Sequence, residues 1–508
     1  MKNKRLGVLI LIIGMTSCSR IENFFTSDQG PPRRTAITET PTVAVPTPSE
    51  TPLLPTSTPT EIPIQMTSFS FLHLRVEFTS TSDWTTLEFT SAENILTARR
   101  ISSIGNPQHP YAGTDRLSFG QSINDPTEAE TVGMVVDLFL SPEARSHEFS
   151  MVLQKGDWNG SFVQISHVVG DELKEITSIS HEGVVPDSGG LNTLPVRIDL
   201  ANQADLALET AQIQRLALPR MIWAFYYPWY RLDDWGSDIL IDRPAKPYAS
   251  HDPESIARHI EQAQDAGIDG FISSWWGPED YTDRNLETLL DLAQDRGFSV
   301  TVYFETLRGD GPQPRNVIIR WLRYLLSTYA EHPAFYKVNG KPLVLFWASD
   351  TVPIETWQEI FDTLRAEGLE SFSLGIGYSA TNLEVFDGIH EYGVFLYEDL
   401  SQTFLAANRL TRYYTALTVD SPPKVWAATV QPGYDDRLIP GREGLVQDRE
   451  NGDFYRSTFE AAIASDPDWI FITTWNEWWE HTHIEPSENF GELYLEITRA
   501  YADQWKNP

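Results

Sequence analysis

From about Pro219 the chain alternates strand-like apolar runs with amphipathic helical runs, and this alternation constrains its fold more than any other feature. MIWAFYYPWY precedes the helical stretch DPESIARHIEQAQDAG, which Gly267 closes. IDGFISSWWG precedes RNLETLLDLAQDRG, FSVTVYFET precedes NVIIRWLRYLLSTYAEH, and PLVLFWAS precedes IETWQEIFDTLRAEG. The strands FSLGIGY and GIHEYGVF follow, then a helix from about Thr403 to Thr418 and the strand KVWAATVQPGY. The helix DFYRSTFEAAIAS, the strand DWIFITTW and the helix FGELYLEITRAYADQW end the series. About eight such units in just under 300 residues predict a (β/α)8 TIM barrel over residues 219–508. A doubly wound sheet is the alternative, but the strand count and the lack of a Gly-rich nucleotide fingerprint weigh against it.

The rest of the chain reads differently. Over residues 66–218, Leu72, Leu74, Val76 and Phe78 alternate with His73, Arg75 and Glu77, the two-residue period of a half-buried strand. MVVDLFL, FSMVLQ, FVQISHVV and LPVRIDL repeat that pattern between turn signals, which predicts an all-β, sandwich-like accessory domain. It reads equally as a carbohydrate-binding module or as a spacer, and Trp84, Tyr111 and Trp158 as binding aromatics or as core. Residues 19–65 form a linker, and its stretch from about Gly30 to Gln65, dominated by Pro and Thr, reaches about 100 Å when extended. Residues 1–18 have Lys2, Lys4 and Arg5, an apolar run from Leu6 to Met15, and the ending MTSC, similar to a bacterial lipobox with Cys18 as the lipidated residue. An ordinary signal peptide with an incidental cysteine is the alternative. The expectation is an exported lipoprotein at the cell surface or on the periplasmic face, tied to the membrane by that anchor alone.

With 71 acidic and 38 basic residues the net charge is −33, which argues against nucleic acid and anionic lipid as partners. Cys18 is the sole cysteine, so neither an internal disulfide nor a cysteine zinc site is available. Aromatic residues make up 12%, with 16 tryptophans, a composition suited to stacking on sugars but also to filling cores.

A TIM barrel carries its chemistry at the C-terminal ends of its strands. Those ends hold Tyr226, Tyr227 and Trp229; Trp275 and Trp276; Glu305; Trp347 and Asp350; Tyr378; Gln431 and Tyr434; and Asn476, Glu477 and Glu480. Aromatics and carboxylates on one rim look like a sugar cleft. In FITTWNEWWEHTHIEPSE, Glu477 and Glu480 are three apart and would face opposite sides of a continuing strand. If the chain turns after Trp475, both enter the cleft, with Trp478 and Trp479 as walls. Paired carboxylates suit glycosidic cleavage, one donating a proton and the other handling charge or acting as nucleophile. From spacing alone, a capping or salt-bridging pair fits as well.

FYYPWY, PGY, NGDFY and NEWWEHTHIEP also resemble glycoside hydrolase family 99, over roughly Met221 to Trp505. The family includes endo-α-mannosidases and endo-α-1,2-mannanases, so the resemblance implies α-mannan or a mannose-containing glycan as substrate and no cofactor. It implies that Glu477 deprotonates the substrate 2-hydroxyl, which attacks C1 to give a 1,2-anhydro sugar, while Glu480 protonates the leaving group. By the same match Glu305 falls at a sugar-contacting position and Tyr227, Trp276 and Tyr434 at matching aromatic ones; with them Trp229, Asn476, Trp478 and Glu485 are assigned to substrate binding. The sequence departs from the family pattern where His481 replaces its glycine and His483 its glutamine. His481, His483 and Glu485 suggest a metal, but no third ligand is evident beside the two imidazoles and none is expected. Two further readings stand beside an endo-acting retaining α-mannoside hydrolase: a catalytically silent glycan-binding lipoprotein, and a retaining glycosidase of another linkage that forms a covalent glycosyl-enzyme. The oligomeric state is not legible.

Overall fold

Apolar runs separated by crossover helices return each strand in the same direction, and here the resulting sheet closes on itself. The computed structural model describes residues 62–81, 84–89, 94–121, 130–142, 146–153, 160–181, 192–199, 206–309, 311–418, 420–442 and 444–507. Cys18, the linker up to residue 61 and Trp158 lie outside the described residues. The barrel strands are β1 (Met221–Tyr226), β2 (Gly270–Trp275), β3 (Ser299–Glu305), β4 (Lys341–Trp347), β5 (Phe372–Ile376), β6 (Gly388–His390), β7 (Val425–Val430) and β8 (Trp469–Ile472). Every neighbouring pair is parallel, and β8 returns to β1 with Trp469 opposite Met221. The expected TIM barrel is therefore present.

Alternation along the strands divides the core into two layers. Trp223, Phe225, Ile272, Tyr303, Leu345, Leu374 and Phe471 form one apolar cluster, the filled barrel interior. Their neighbours Ile222, Ala224, Phe271, Val302, Phe346 and Ile470 belong to the other, against the surrounding helices. Those helices are α1 (Pro253–Asp265), α2 (Tyr281–Arg296), α3 (Arg315–Thr328), α4 (Ile354–Ala366), α5 (Ala380–Leu383), α6 (Leu400–Leu417), α7 (Asp453–Ala464) and α8 (Leu493–Lys506). In α1 the stripe Ile256, Ile260 and Ala263 is buried, Asp252 caps the N-terminus by accepting from Ser255 N, and Pro253 opens the first turn. The sequence pattern ran the fifth strand directly into the sixth. The structure places the one-turn α5 between them, too short to display a helical period.

The N-terminal region forms two antiparallel sheets, as expected of a sandwich. One is built around the strand Ile64–Ser80, the other around Trp84–Phe89, and Phe78 of the first meets Phe119 of the second edge-on at 4.9 Å. The strand Glu209–Leu216 pairs with Ile64–Phe71 and leads into β1. The sandwich docks on α4, α5 and α6. Arg100 makes a two-pronged contact with Glu384 (3.0 and 2.8 Å) and reaches Glu355 (3.0 Å), and Thr97 Oγ1 donates to Leu410 O at 2.9 Å. Trp84 is half-buried in its strand, and Tyr111 donates to the carbonyl of Tyr378 at 3.1 Å on the barrel rim.

Candidate active site

The run after β8 leaves the sheet and folds back on itself. Thr474 N donates to Thr482 O at 2.9 Å, Thr482 N to Glu477 O at 3.1 Å, and Ile484 N to Thr474 O at 3.0 Å. Strand geometry stops at Ile472, so the alternation that would separate Glu477 from Glu480 does not operate. His481 sits at φ +53°, in the left-handed region, where the family pattern has glycine. Histidine enters that region more readily than most side chains, so the departure is one the loop can accommodate.

Glu477 is buried, and its Oε1 accepts from Trp479 N (3.0 Å), Glu480 N (3.4 Å) and the Tyr230 hydroxyl (3.4 Å). Burial, reinforced by the negative charge of Glu480, holds its carboxyl well above the usual carboxylate range. Arg442 and the two backbone N–H groups oppose that shift. Glu480 is partly exposed. Its Oε1 accepts from Arg442 Nη1 at 2.8 Å, and its Oε2 lies 3.5 Å from the Tyr392 hydroxyl. The Tyr227 hydroxyl donates in turn to Tyr392 at 2.8 Å, so β1, the β6 segment and the β8 loop meet around the two acids. Burial first, then neighbouring charges, raise the phenols of Tyr227, Tyr230 and Tyr392 well above their usual range, which keeps them neutral hydroxyls.

Glu305 closes β3 and is buried, with Oε1 accepting from Ser274 Oγ at 2.6 Å. Ser274 Oγ also accepts from the Trp276 indole N–H at 3.1 Å, which ties that tryptophan to the acid. Burial pushes the Glu305 carboxyl up to about 8, with the Ser274 hydrogen bond opposing and the charge of Glu480 adding, so it is neutral at pH 7. Gly277, at φ +106°, holds the turn after Trp276, and a Cβ there would strike the Trp321 ring at 2.5 Å. Tyr227, Trp229, Trp276 and Trp479 form an aromatic wall. Trp229 stacks on Trp479 (centroids 5.3 Å, 18°), lies 4.5 Å from Tyr227 and 6.5 Å from Trp276. Tyr434 stacks on Phe395 at 4.4 Å and donates to Asp436 at 2.9 Å.

Three residues assigned to substrate are instead committed inside the protein. Asn476 is fully buried, accepts from Tyr227 N (2.7 Å), and donates to Tyr227 O and the Tyr248 hydroxyl (3.0 Å each), so it fastens the β8 loop to the end of β1. Trp478 is also fully buried, stacked on His483 at 3.7 Å, and donates to Glu485 Oε2 at 3.3 Å. Glu485 is taken by that indole, by the Tyr248 hydroxyl at 3.0 Å and by His259 Nε2 at 2.9 Å. These side chains support the catalytic loop from beneath, and of the two indoles only Trp479 joins the wall. Tyr226 and Trp275 likewise face the helices: Trp275 donates to Asp283 at 2.8 Å, and Tyr226 contacts His259 at 3.2 Å. In both adjacent aromatic pairs, strand alternation leaves only the second residue for the cleft. His483 lies 3.4 Å from Asp242, and among the described residues no group of three or more His, Cys, Asp or Glu is arranged to hold a metal.

Sequence reasoning missed Tyr230, Ser274, Tyr392 and Arg442. Tyr392 had a signal, since it lies two residues past β6 in HEYG. Arg442 had none, because its loop, DDRLIPGREG, has neither period nor motif.

The model of glycosyl hydrolase family 99 matches residues 230–497. The chain is 28% identical over 316 residues to the glycoprotein endo-alpha-1,2-mannosidase of Rattus norvegicus, covering 54% of this chain and 65% of that protein. It is also 28% identical over 315 residues to the enzyme of the same name from Xenopus laevis, covering 54% of this chain and 67% of that one. The match thus spans about two thirds of these relatives' own length. The solved GH99 endo-alpha-mannosidase of Bacteroides thetaiotaomicron superposes with a TM-score of 0.50 at 25% identity, over 57% of this chain and 98% of that one. The sandwich falls outside the family match, which lies within the barrel and covers more than half of the chain. On the closed barrel, the paired glutamates after β8 and that match, the chain belongs to glycosyl hydrolase family 99.

Proposed function

We propose that the chain is an endo-acting α-mannoside hydrolase that retains anomeric configuration, with Glu477 as base and Glu480 as acid. One observation carries this reading: the β8 loop brings both carboxyls to a rim walled by aromatic side chains. The relatives named as mannosidases supply the sugar.

In the first step Glu477 takes the proton of the substrate 2-hydroxyl. O2 then forms a bond to C1 as the C1–O bond to the leaving group breaks, and Glu480 donates its proton to the departing oxygen. In the second step Glu480 accepts a proton from water, whose oxygen attacks C1. The C1–O2 bond breaks and Glu477 returns its proton to O2. Two inversions give net retention. Burial raises the Glu477 carboxyl, which makes its carboxylate the stronger proton acceptor when ionised. Neutral Glu305 beside Ser274 and Trp276 offers the sugar both a donor and an acceptor.

The test is incubation of the purified protein with α-mannans and mannose-rich glycans, with product size and early anomeric configuration read by NMR. Internal cleavage with α-configured new reducing ends is expected. Binding without products would favour a silent glycan-binding protein, and a glycosyl adduct trapped on Glu477 would favour ordinary double displacement. Attachment through lipid on Cys18 is part of the same proposal, and Cys18→Ser should move the protein from membranes to the soluble fraction.

A further inference from the structure

The guanidinium of Arg442 is nearly buried, with its side chain only 6% exposed, and its Nη1 reaches three groups. Nη1 contacts Glu480 Oε1 at 2.8 Å, the Tyr434 hydroxyl at 3.1 Å and Asp436 Oδ2 at 3.3 Å. Arg442 comes from the β7–α7 connection, which folds over the rim as a strap. Tyr434 and Asp435 pair with Val446 and Gln447 in a short antiparallel ribbon, and Asp435 N donates to the carbonyl of Glu480 itself at 2.9 Å. Asp436 braces the strap from within, accepting from Leu445 N at 2.7 Å as well as from Tyr434. The strap therefore grips Glu480 twice, by backbone and by side chain.

A carboxyl that must hand a proton to a leaving oxygen needs a fixed direction, and a misplacement of 1 Å costs on the order of 10²-fold in rate. Among the described residues, the other hydrogen bond to the Glu480 carboxyl is a long one, from the Tyr392 hydroxyl at 3.5 Å. We propose that Arg442 is the positioning residue for the acid, holding Oε1 so that Oε2 is presented to the leaving-group oxygen. This rests on the reading of Glu480 as proton donor. Tyr434 and Asp436 belong to the same device, since they hold the nitrogen that holds the acid.

The test compares Arg442→Gln, Arg442→Lys, Glu480→Gln and the double variant Arg442→Gln/Glu480→Gln on a natural α-mannoside and on the matching α-glycosyl fluoride. Fluoride leaves with little need for a proton, so an effect passing through the acid should fade on it. Arg442→Gln is expected to lower kcat on the natural substrate by about 10²-fold with KM changed far less, and to lower activity on the fluoride by under about tenfold. Arg442→Lys should recover part of the loss, because an ammonium can replace a single Nη1 contact point. The double variant should be no worse than Glu480→Gln alone. Equal losses on both substrates, or losses that add in the double variant, would mean that Arg442 merely supports the fold and would overturn the proposal. Glu480→Gln severely impaired beside an unimpaired Arg442→Gln would also overturn it, while leaving the acid assignment standing. Near-wild-type Glu480→Gln would remove that assignment and this inference with it.

Discussion

Two pairs of carboxyl groups stand on the C-terminal rim of the barrel, and they are built differently. Glu477 and Glu480 share the β8 loop, and Arg442 forms an ion pair with Glu480. Asp350, in the turn after β4, and Glu391, directly after β6, lie where no cation forms an ion pair with either among the described residues. Glu391 Oε2 accepts from the Tyr397 hydroxyl at 3.1 Å and Oε1 from Tyr392 N at 3.2 Å. Burial, with the charge of Asp350 adding, pushes the Glu391 carboxyl up to about 7, and burial pushes Asp350 up to about 6. Both carboxyls of the second pair are thus shifted the same way, toward the protonated form, as acids without a cation generally are. In the first, a guanidinium contacts one member, so the two carboxyls have unlike surroundings. Two buried carboxyls at strand ends do not by themselves make an active site.

Breaking each pair should separate them most widely in activity. Glu477→Gln is expected to lower turnover on natural and activated substrates alike by ~10²–10⁴-fold, the usual worth of a positioned proton acceptor. Glu391→Gln, assayed beside it, should retain most of the activity. Equal losses would show that the two pairs do not differ in function.

The next effect is on pH dependence. A base must be ionised to act, so the raised carboxyl of Glu477 should place the acid limb of kcat/KM above the ordinary glutamate range. The charge of Glu480 is the second cause of that shift. Removing it in Glu480→Gln, assayed on the glycosyl fluoride, should move the acid limb to lower pH. A limb that stays in place would mean that the two carboxyls do not sense each other.

A smaller effect concerns stability. An acid whose folded-state value is raised, such as Glu391, contributes stability present below its unfolded value and lost as pH rises through the folded one. The window therefore runs from 4.5 to about 7. Glu391→Gln has no such proton to lose, so its melting temperature should gain on the wild type as pH rises through that window. A difference independent of pH would contradict the raised carboxyl of Glu391.

The smallest expected effect lies in the backbone that carries the first pair. His481→Gly restores the residue that suits φ +53° but removes ring contacts with His483 (5.1 Å) and Phe490 (6.0 Å). Stability should change by about 1 kcal/mol or less, with activity kept.

Much of this could be read before the structure, for reasons that differ by region. The barrel was legible because each strand is a continuous apolar run and most helices carry a long buried stripe. The four residues of α5 cannot show such a stripe. Glu477 and Glu480 were legible because acids gathered beyond a buried strand end have few structural uses. Composition at a strand end does not say which side of a loop a residue will face, however, so Asn476, Trp478 and Glu485 were assigned to the sugar when they brace the loop from below. The partner of Glu480 was hidden for another reason. Arg442 lies 38 residues away, in a connection with no periodicity, and only tertiary folding brings the two together.

Whether the two glutamates divide acid from base shows most plainly in how each variant depends on the leaving group. Turnover of Glu477→Gln and Glu480→Gln is compared on the natural α-mannoside and on the matching glycosyl fluoride. Glu480→Gln should lose ~10²–10⁴-fold on the natural substrate and far less on the fluoride, whereas Glu477→Gln should be severely impaired on both. If the two variants respond to the leaving group in the same way, or if either retains near-wild-type turnover of the natural substrate, the division of roles is wrong.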